Sequence, residues 1–154
     1  MTYASNPSDF VQRHYVASAE TFAAGVAKDI ADGSYIDVAQ FEYAMILVNV
    51  TVETGTVTSL TITAKGCDAQ TTPTKTVIDG TNVKPNPYII TGPNAAESYA
   101  SEFRLHGADT LMDVEILVTG GTSVVADVTV LLFRNQYTRD LPAMELLDAE
   151  IGVA

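Results

Sequence analysis

Four runs in this chain alternate apolar side chains with a period of two, and they constrain its fold more than any other feature. They are "FEYAMILVNVTVE", "VTSLTITAKG", "LMDVEILVTGG" and "SVVADVTVLLF". A period of two belongs to a pleated strand with one face against a core. In the first run both alternate sets are apolar: Ala44, Ile46, Val48 and Val50 on one side, Tyr43, Met45 and Leu47 on the other. Such a strand is covered on both faces or lies centrally in a sheet. In the second run Leu60 and Ile62 alternate with threonines. The third points Met112, Val114, Ile116 and Val118 inward and Asp113 and Glu115 outward. The fourth sets Val124, Ala126, Val128, Val130 and Leu132 against Val125, Asp127, Thr129 and Leu131. "TGT" at 54–56 and Gly120-Gly121 are turn signals, and they predict hairpins joining the first run to the second and the third to the fourth.

Shorter strands fill the rest. "SYASEFRLHG" places Tyr99, Phe103 and Leu105 on one side, with Glu102, Arg104 and His106 opposite. Residues 66–98 hold four of the six prolines and two brief apolar pieces, "TVI" and "YII". Proline lacks an amide donor, so these pieces are expected at sheet edges. About seven to nine strands at this spacing predict an all-β fold, an antiparallel β-sandwich or jelly-roll-like domain.

Composition agrees. The 154 residues make one comfortable domain, 47% apolar and 18% charged, with abundant Thr and Val and no Trp. β-Branched side chains suit a pleated surface better than a helix. The net charge of −11, from 19 acidic and 8 basic residues, works against nucleic acid and against anionic membranes. Cys67 is the single cysteine, so no internal disulfide forms. The first twenty residues lack the cationic and apolar regions of a signal peptide, and no stretch reaches the roughly 18 apolar residues of a membrane span. These features predict a soluble protein made in the cytoplasm.

The expected division is an N-terminal arm at 1–19, the sandwich at 20–135 and a C-terminal arm at 136–154. "SDFVQRHYVASAE" reads as an extended arm or a weakly formed helix capped by Ser8. In the C-terminal arm Asp140 can cap a short helix with Pro142 in its first turn. Met144, Leu147 and Ile151 recur there at helical spacing, with Glu145, Asp148 and Glu150 outside. A helix of roughly ten residues is marginal alone in water, so it docks on its own sandwich or on a neighbouring chain.

Candidate chemistry is sparse. His14 and His106 are far apart in the chain, and His106 reads as a surface residue at a turn. "GCDAQ" around Cys67 matches no nucleophile motif, and "TGGTS" opens no helix that would cradle a phosphate. Asp113, Glu115 and Asp127 could form a calcium-binding trio, but a solvated acidic strand face is the favoured reading. No catalytic residue, cofactor or metal ligand is assigned, and the chain is not expected to be an enzyme.

The segment "FEYAMILVNVTVETGTVTSLTITAKGCDAQ" resembles small virion proteins of tailed bacteriophages, with an aromatic-led strand ending in "ILVNV", a "TGTVT" turn and a Thr-rich strand. The resemblance covers about thirty residues closely and the all-β body with terminal arms more generally. In that group the segment belongs to a β-sandwich or jelly-roll domain of a capsid decoration (cement) or auxiliary head protein. It implies a non-enzymatic virion protein on the capsid exterior, a homotrimer that clamps the major capsid protein lattice. The arm residues then expected at interfaces are Phe10, Tyr15, Leu141, Met144, Leu147 and Ile151, with Arg134 and Arg139 pairing to carboxylates on a neighbour. The alternatives are a phage tail or head–tail connector component, or a carbohydrate- or ligand-binding sandwich module with Tyr88 and Tyr99 at its site.

Overall fold

A computed structural model describes residues 11–78, 85–105 and 110–133, with the backbone alone for 11–15. The described residues form ten strands and no helix: β1 (Val11–Ala23), β2 (Lys28–Asp29), β3 (Ile36–Asp37), β4 (Tyr43–Thr54), β5 (Val57–Cys67), β6 (Lys75–Val77), β7 (Tyr88–Thr91), β8 (Ser98–Arg104), β9 (Leu111–Gly120) and β10 (Ser123–Phe133). One sheet runs β1-β10-β4-β8. The other has six strands, in the order β2-β9-β5-β6, with β3 also on β9 and β7 also on β5. All named strand pairs are antiparallel. This is the expected sandwich, with more strands than the seven to nine read from the sequence. β1 begins at Val11, so residues 11–19 of the expected N-terminal arm lie in the sheet.

The core is the space between the sheets, filled by the inward set of each long strand. Ile46, Val48 and Val50 of β4, Leu60 and Ile62 of β5, Met112 to Val118 of β9 in alternation, and Val124 to Val130 of β10 in alternation are all fully buried. Phe22 and Phe103 close it from β1 and β8. Cys67 ends β5 and is buried too.

Neither expected hairpin forms. β4 and β5 belong to different sheets, as do β9 and β10, so "TGT" and Gly120-Gly121 carry the chain from one layer to the other. The two arches lie side by side: β4 pairs with β10 and β5 with β9, and Thr122 donates its N–H to the Thr54 carbonyl at 2.8 Å. The physical reason is burial. A flat hairpin leaves the inward faces of both strands needing a further layer, whereas an arch folds one face onto the other. The close approach of the arches requires glycine. A Cβ on Gly120 would stand 2.3 Å from Thr58 Oγ1, and one on Gly121 would stand 2.8 Å from Val57 Cγ2, both at positive φ.

The irregular stretch 66–98 supplies β6 and β7, both bonded to β5 as edge strands. Between them the Ala64 carbonyl of β5 accepts the Ile78 N–H at 3.0 Å, but the Ala64 N–H meets no strand on that side. Asn86 fills that gap: its Oδ1 accepts the Ala64 N–H at 2.9 Å, and its Nδ2 donates to the carbonyls of Ala64 and Ile78 at 2.9 and 2.6 Å. Asn86→Ala takes the acceptor from the Ala64 N–H and a donor from the Ile78 carbonyl, while the Ala64 carbonyl keeps the Ile78 N–H, and is expected to cost about 1–3 kcal/mol. A denaturant midpoint unchanged by the substitution would contradict this role.

Candidate functional site: the outer faces of the two sheets

The outer face of the six-stranded sheet is not a solvated acidic surface. Alternation along β9 puts Asp113 and Glu115 opposite the core-facing Met112, Val114 and Ile116, as expected. β2 and β3 pair with β9 within this sheet, and the turn between them closes over Asp113. Asp113 is 0% exposed. Its Oδ1 accepts the N–H groups of Ala31 and Val114 at 2.9 and 2.7 Å, and its Oδ2 meets Lys75 Nζ at 2.8 Å. Lys75 reaches from β6 across β5, and also bonds Asp29 Oδ2 at 2.8 Å and Asp32 Oδ1 at 3.2 Å. Lys65 on β5 pairs with Glu115 and lies 3.6 Å from Asp29 Oδ1. Tyr35 caps the cluster, its ring centroid 5.1 Å from Lys75 Nζ and its hydroxyl donating to Asp32 Oδ1 at 2.6 Å. Asp127, the third member of the considered calcium trio, lies on β10 in the other sheet and accepts the Ala19 N–H at 2.7 Å. The trio therefore does not converge.

This cluster fixes the electrostatics of the sheet. Burial works to lower the pKa of the Lys75 ammonium, but hydrogen bonds to Asp113 and Asp29 outweigh it and raise the value overall. Lys65 behaves likewise: burial opposes, and the bond to Glu115 with the charge of Asp29 carries it upward. Asp32 is held below its ordinary 3.8 by the Tyr35 hydroxyl first and Lys75 second. The lysines' contribution is complete below their ordinary 10.5 and is lost only as pH rises through the higher folded values. The Asp32 contribution is complete above 3.8 and is lost as pH falls through the lower folded value. Melting temperature is accordingly expected to hold level from about pH 5 to 9 and to fall below about pH 4. A steep change near neutrality in a thermal-unfolding series would contradict that.

The four-stranded sheet differs. Its outer face carries Met45 and Leu47 on β4 and Leu131 and Phe133 on β10, all part-exposed, with Tyr43 at 43%. Register aligns them: Tyr43 opposes Phe133, and Met45 opposes Leu131. On the flanking strands Val11 opposes Phe133 and Arg104 opposes Tyr43. Val11 and Phe133, the first and last described residues, therefore lie next to each other at one end of the sheet, beside this apolar row. Farther along the same face lies a cavity of about 410 Å³, lined by Ser18, Leu47, Asn49, Ser98, Asp127 and Thr129 among others. In its lining Ser98 donates to Asn49 Oδ1 at 3.1 Å, and Asp127 accepts the Ala19 N–H.

Of the expected interface residues, Phe10, Arg134, Arg139, Leu141, Met144, Leu147 and Ile151 lie outside the described residues, as do His106 and the proposed C-terminal helix. Tyr15 sits in β1 opposite Thr129, and its side chain is outside the description. Tyr88 and Tyr99, weighed as a ligand platform, fall in different sheets, and both pack partly buried against the core. The Tyr99 hydroxyl donates to Glu97 Oε2 at 2.6 Å and accepts the Asn94 N–H at 3.0 Å. Sequence reading missed the Lys75–Asp113 pair, since 38 residues separate its members and nothing local links them.

No family model matches the chain, and no curated protein matches it. Several solved structures align with it to differing degrees. VP2 of infectious bursal disease virus, in its subviral particle, aligns with a TM-score of 0.54 at 14% identity, over 82% of this chain and 33% of VP2. A Bacillus endospore appendage pilus protein aligns at 0.38 and 14% identity, over 81% of this chain and 88% of its own. Tripeptidyl peptidase 2 aligns at 0.47 and 7% identity, over 79% of this chain and 10% of the peptidase. The chain spans about a third of VP2's length, and identity at this level speaks for fold alone. The chain is an antiparallel β-sandwich similar in fold to part of VP2.

Proposed function

We infer that the chain is a non-enzymatic virion structural protein, a capsid decoration or cement protein that binds the exterior of a major capsid protein lattice. On this reading it is made in the host cytoplasm, associates as a homotrimer, and uses its two terminal segments to reach neighbouring subunits. The observation that carries the reading is the pairing of Val11 with Phe133: both terminal segments leave one end of one sheet, beside the apolar row of Tyr43, Met45 and Leu131. Two extensions from one point, with anchors such as Phe10, Leu141, Met144 and Ile151, give a small sandwich contact area beyond its own body. Many modest contacts repeated over a lattice sum to strong retention. The fold likeness to VP2 and the phage-like segment at 41–70 support the same class of role.

Co-sedimentation tests it. Purified protein mixed with emptied capsid shells of the encoding virus is expected to pellet with them, saturating at a fixed ratio to the capsid subunit. Protein that stays in the supernatant and instead binds glycans as a monomer would overturn the assignment in favour of a ligand-binding module.

A further inference from the structure

We propose that Lys75 and Asp113 are substrates of an autocatalytic reaction that joins them by an isopeptide bond, with Asp29 as the proton carrier. The inference is independent of the virion reading and rests on how the buried cluster is arranged. The prospective nucleophile, Lys75 Nζ, lies 2.8 Å from Asp113 Oδ2, against the carboxyl group it would join. The Asp113 carboxyl is fully buried, and its other oxygen is held by two backbone N–H groups, those of Ala31 and Val114. Two amides aimed at one oxygen are what an acyl centre needs when negative charge grows on that atom. Asp29 Oδ2 lies 2.8 Å from the same Nζ. Its Oδ1 is buried without a hydrogen bond, and Lys65 at 3.6 Å is beyond bonding distance. Tyr35, itself buried, shields the amine side. Pre-set geometry in a water-poor site is the main requirement for such a condensation.

The steps balance without any added reactant. At rest the carboxylates of Asp113, Asp29 and Asp32 hold Lys75 as an ammonium; in the reactive minority state one proton passes within the 2.8 Å contact to Asp113 Oδ2, leaving a neutral amine and a neutral carboxyl group. The nitrogen lone pair attacks Asp113 Cγ, the N–C bond forms, and the carbonyl electron pair moves onto Oδ1 under the Ala31 and Val114 amides. Asp29 takes a proton from the nitrogen and delivers it to the Oδ2 hydroxyl. The Cγ–Oδ2 bond breaks, one water leaves, and the carbonyl re-forms as an amide. Asp29 ends as it began. The product replaces the buried Asp113 carboxylate and the partly buried Lys75 ammonium by a neutral amide, which removes their desolvation penalty. It also ties β6, an edge strand of three residues, across β5 to the central β9. An edge so tied cannot peel away under shear.

The test is the intact mass of the full chain, folded, then denatured, with a fragment map of a protease digest. The expected result is a mass short by one water, with the loss located in a branched fragment that contains both Lys75 and Asp113. Lys75→Arg and Asp113→Ala should each restore the full mass, and Asp29→Asn should leave much of the folded protein unlinked. A folded wild-type chain at its full sequence mass overturns the proposal without reference to any variant. So does a water loss that maps to Asp32-Gly33 or Asp79-Gly80, where cyclisation of the aspartate would give the same mass.

Discussion

Asp113→Ala is expected to lower the unfolding free energy by about 3 kcal/mol relative to a chain whose Lys75 and Asp113 remain an unlinked ion pair, at the lower end of what breaking a buried charge pair costs. The substitution leaves the N–H groups of Ala31 and Val114 without an acceptor in a site closed to water, and takes from Lys75 its only fully buried partner. Lys75 keeps Asp29 and Asp32, which is why the loss stays at that end of the range. A denaturant series should show the midpoint fall with little change in slope. Asp113→Leu combined with Lys75→Met removes both charges and fills the space. It should recover a good part of the loss, with a coupling energy of at least about 1 kcal/mol in the double-mutant cycle. A loss below about 1 kcal/mol would place Asp113 among ordinary surface ion pairs and contradict the buried-cluster account.

Removing residues 136–154 is expected to leave the sandwich folded while abolishing self-association and capsid binding. Deletion takes away Arg139, Leu141, Met144, Leu147 and Ile151 but none of the described core residues. If this segment reaches a neighbouring subunit, the shortened chain should unfold at nearly the same denaturant concentration, run as a monomer and fail to pellet with shells. If it instead covers its own sheet, the main loss is stability and any ligand binding survives. Unfolding and co-sedimentation measured on the same deletion therefore separate the two cases. Retained capsid binding at full strength would contradict an arm-mediated clamp.

How much of this was legible in the sequence depends on the range of the physics involved. Period-two alternation identifies the buried face of a strand from local information, so Ile46, Val48, Val50, Met112, Val114, Ile116, Val124 and Val128 read correctly as core. The edge positions of β6 and β7 followed from the prolines around them. Alternation does not name a strand's partner. A glycine turn that closes a hairpin and one that arches between layers look alike, which is why β4–β5 and β9–β10 read as hairpins. The outer face of β9 was misread for a related reason. Asp113 and Glu115 signal water until a segment some 80 residues earlier lies over them, and their lysine partners come from β5 and β6. Asn86 completes a sheet with its side chain, which no strand pattern reports. At the apolar row of the four-stranded sheet, Met45 and Leu47 did signal a second covered face, and the structure shows them only partly covered.

The most direct measurement of the central claim is the mass of the purified full-length protein in solution, by light scattering behind a sizing column over a range of concentrations. A stable species of three 16.4 kDa chains is expected. A monomer that persists at every concentration would contradict the trimeric clamp.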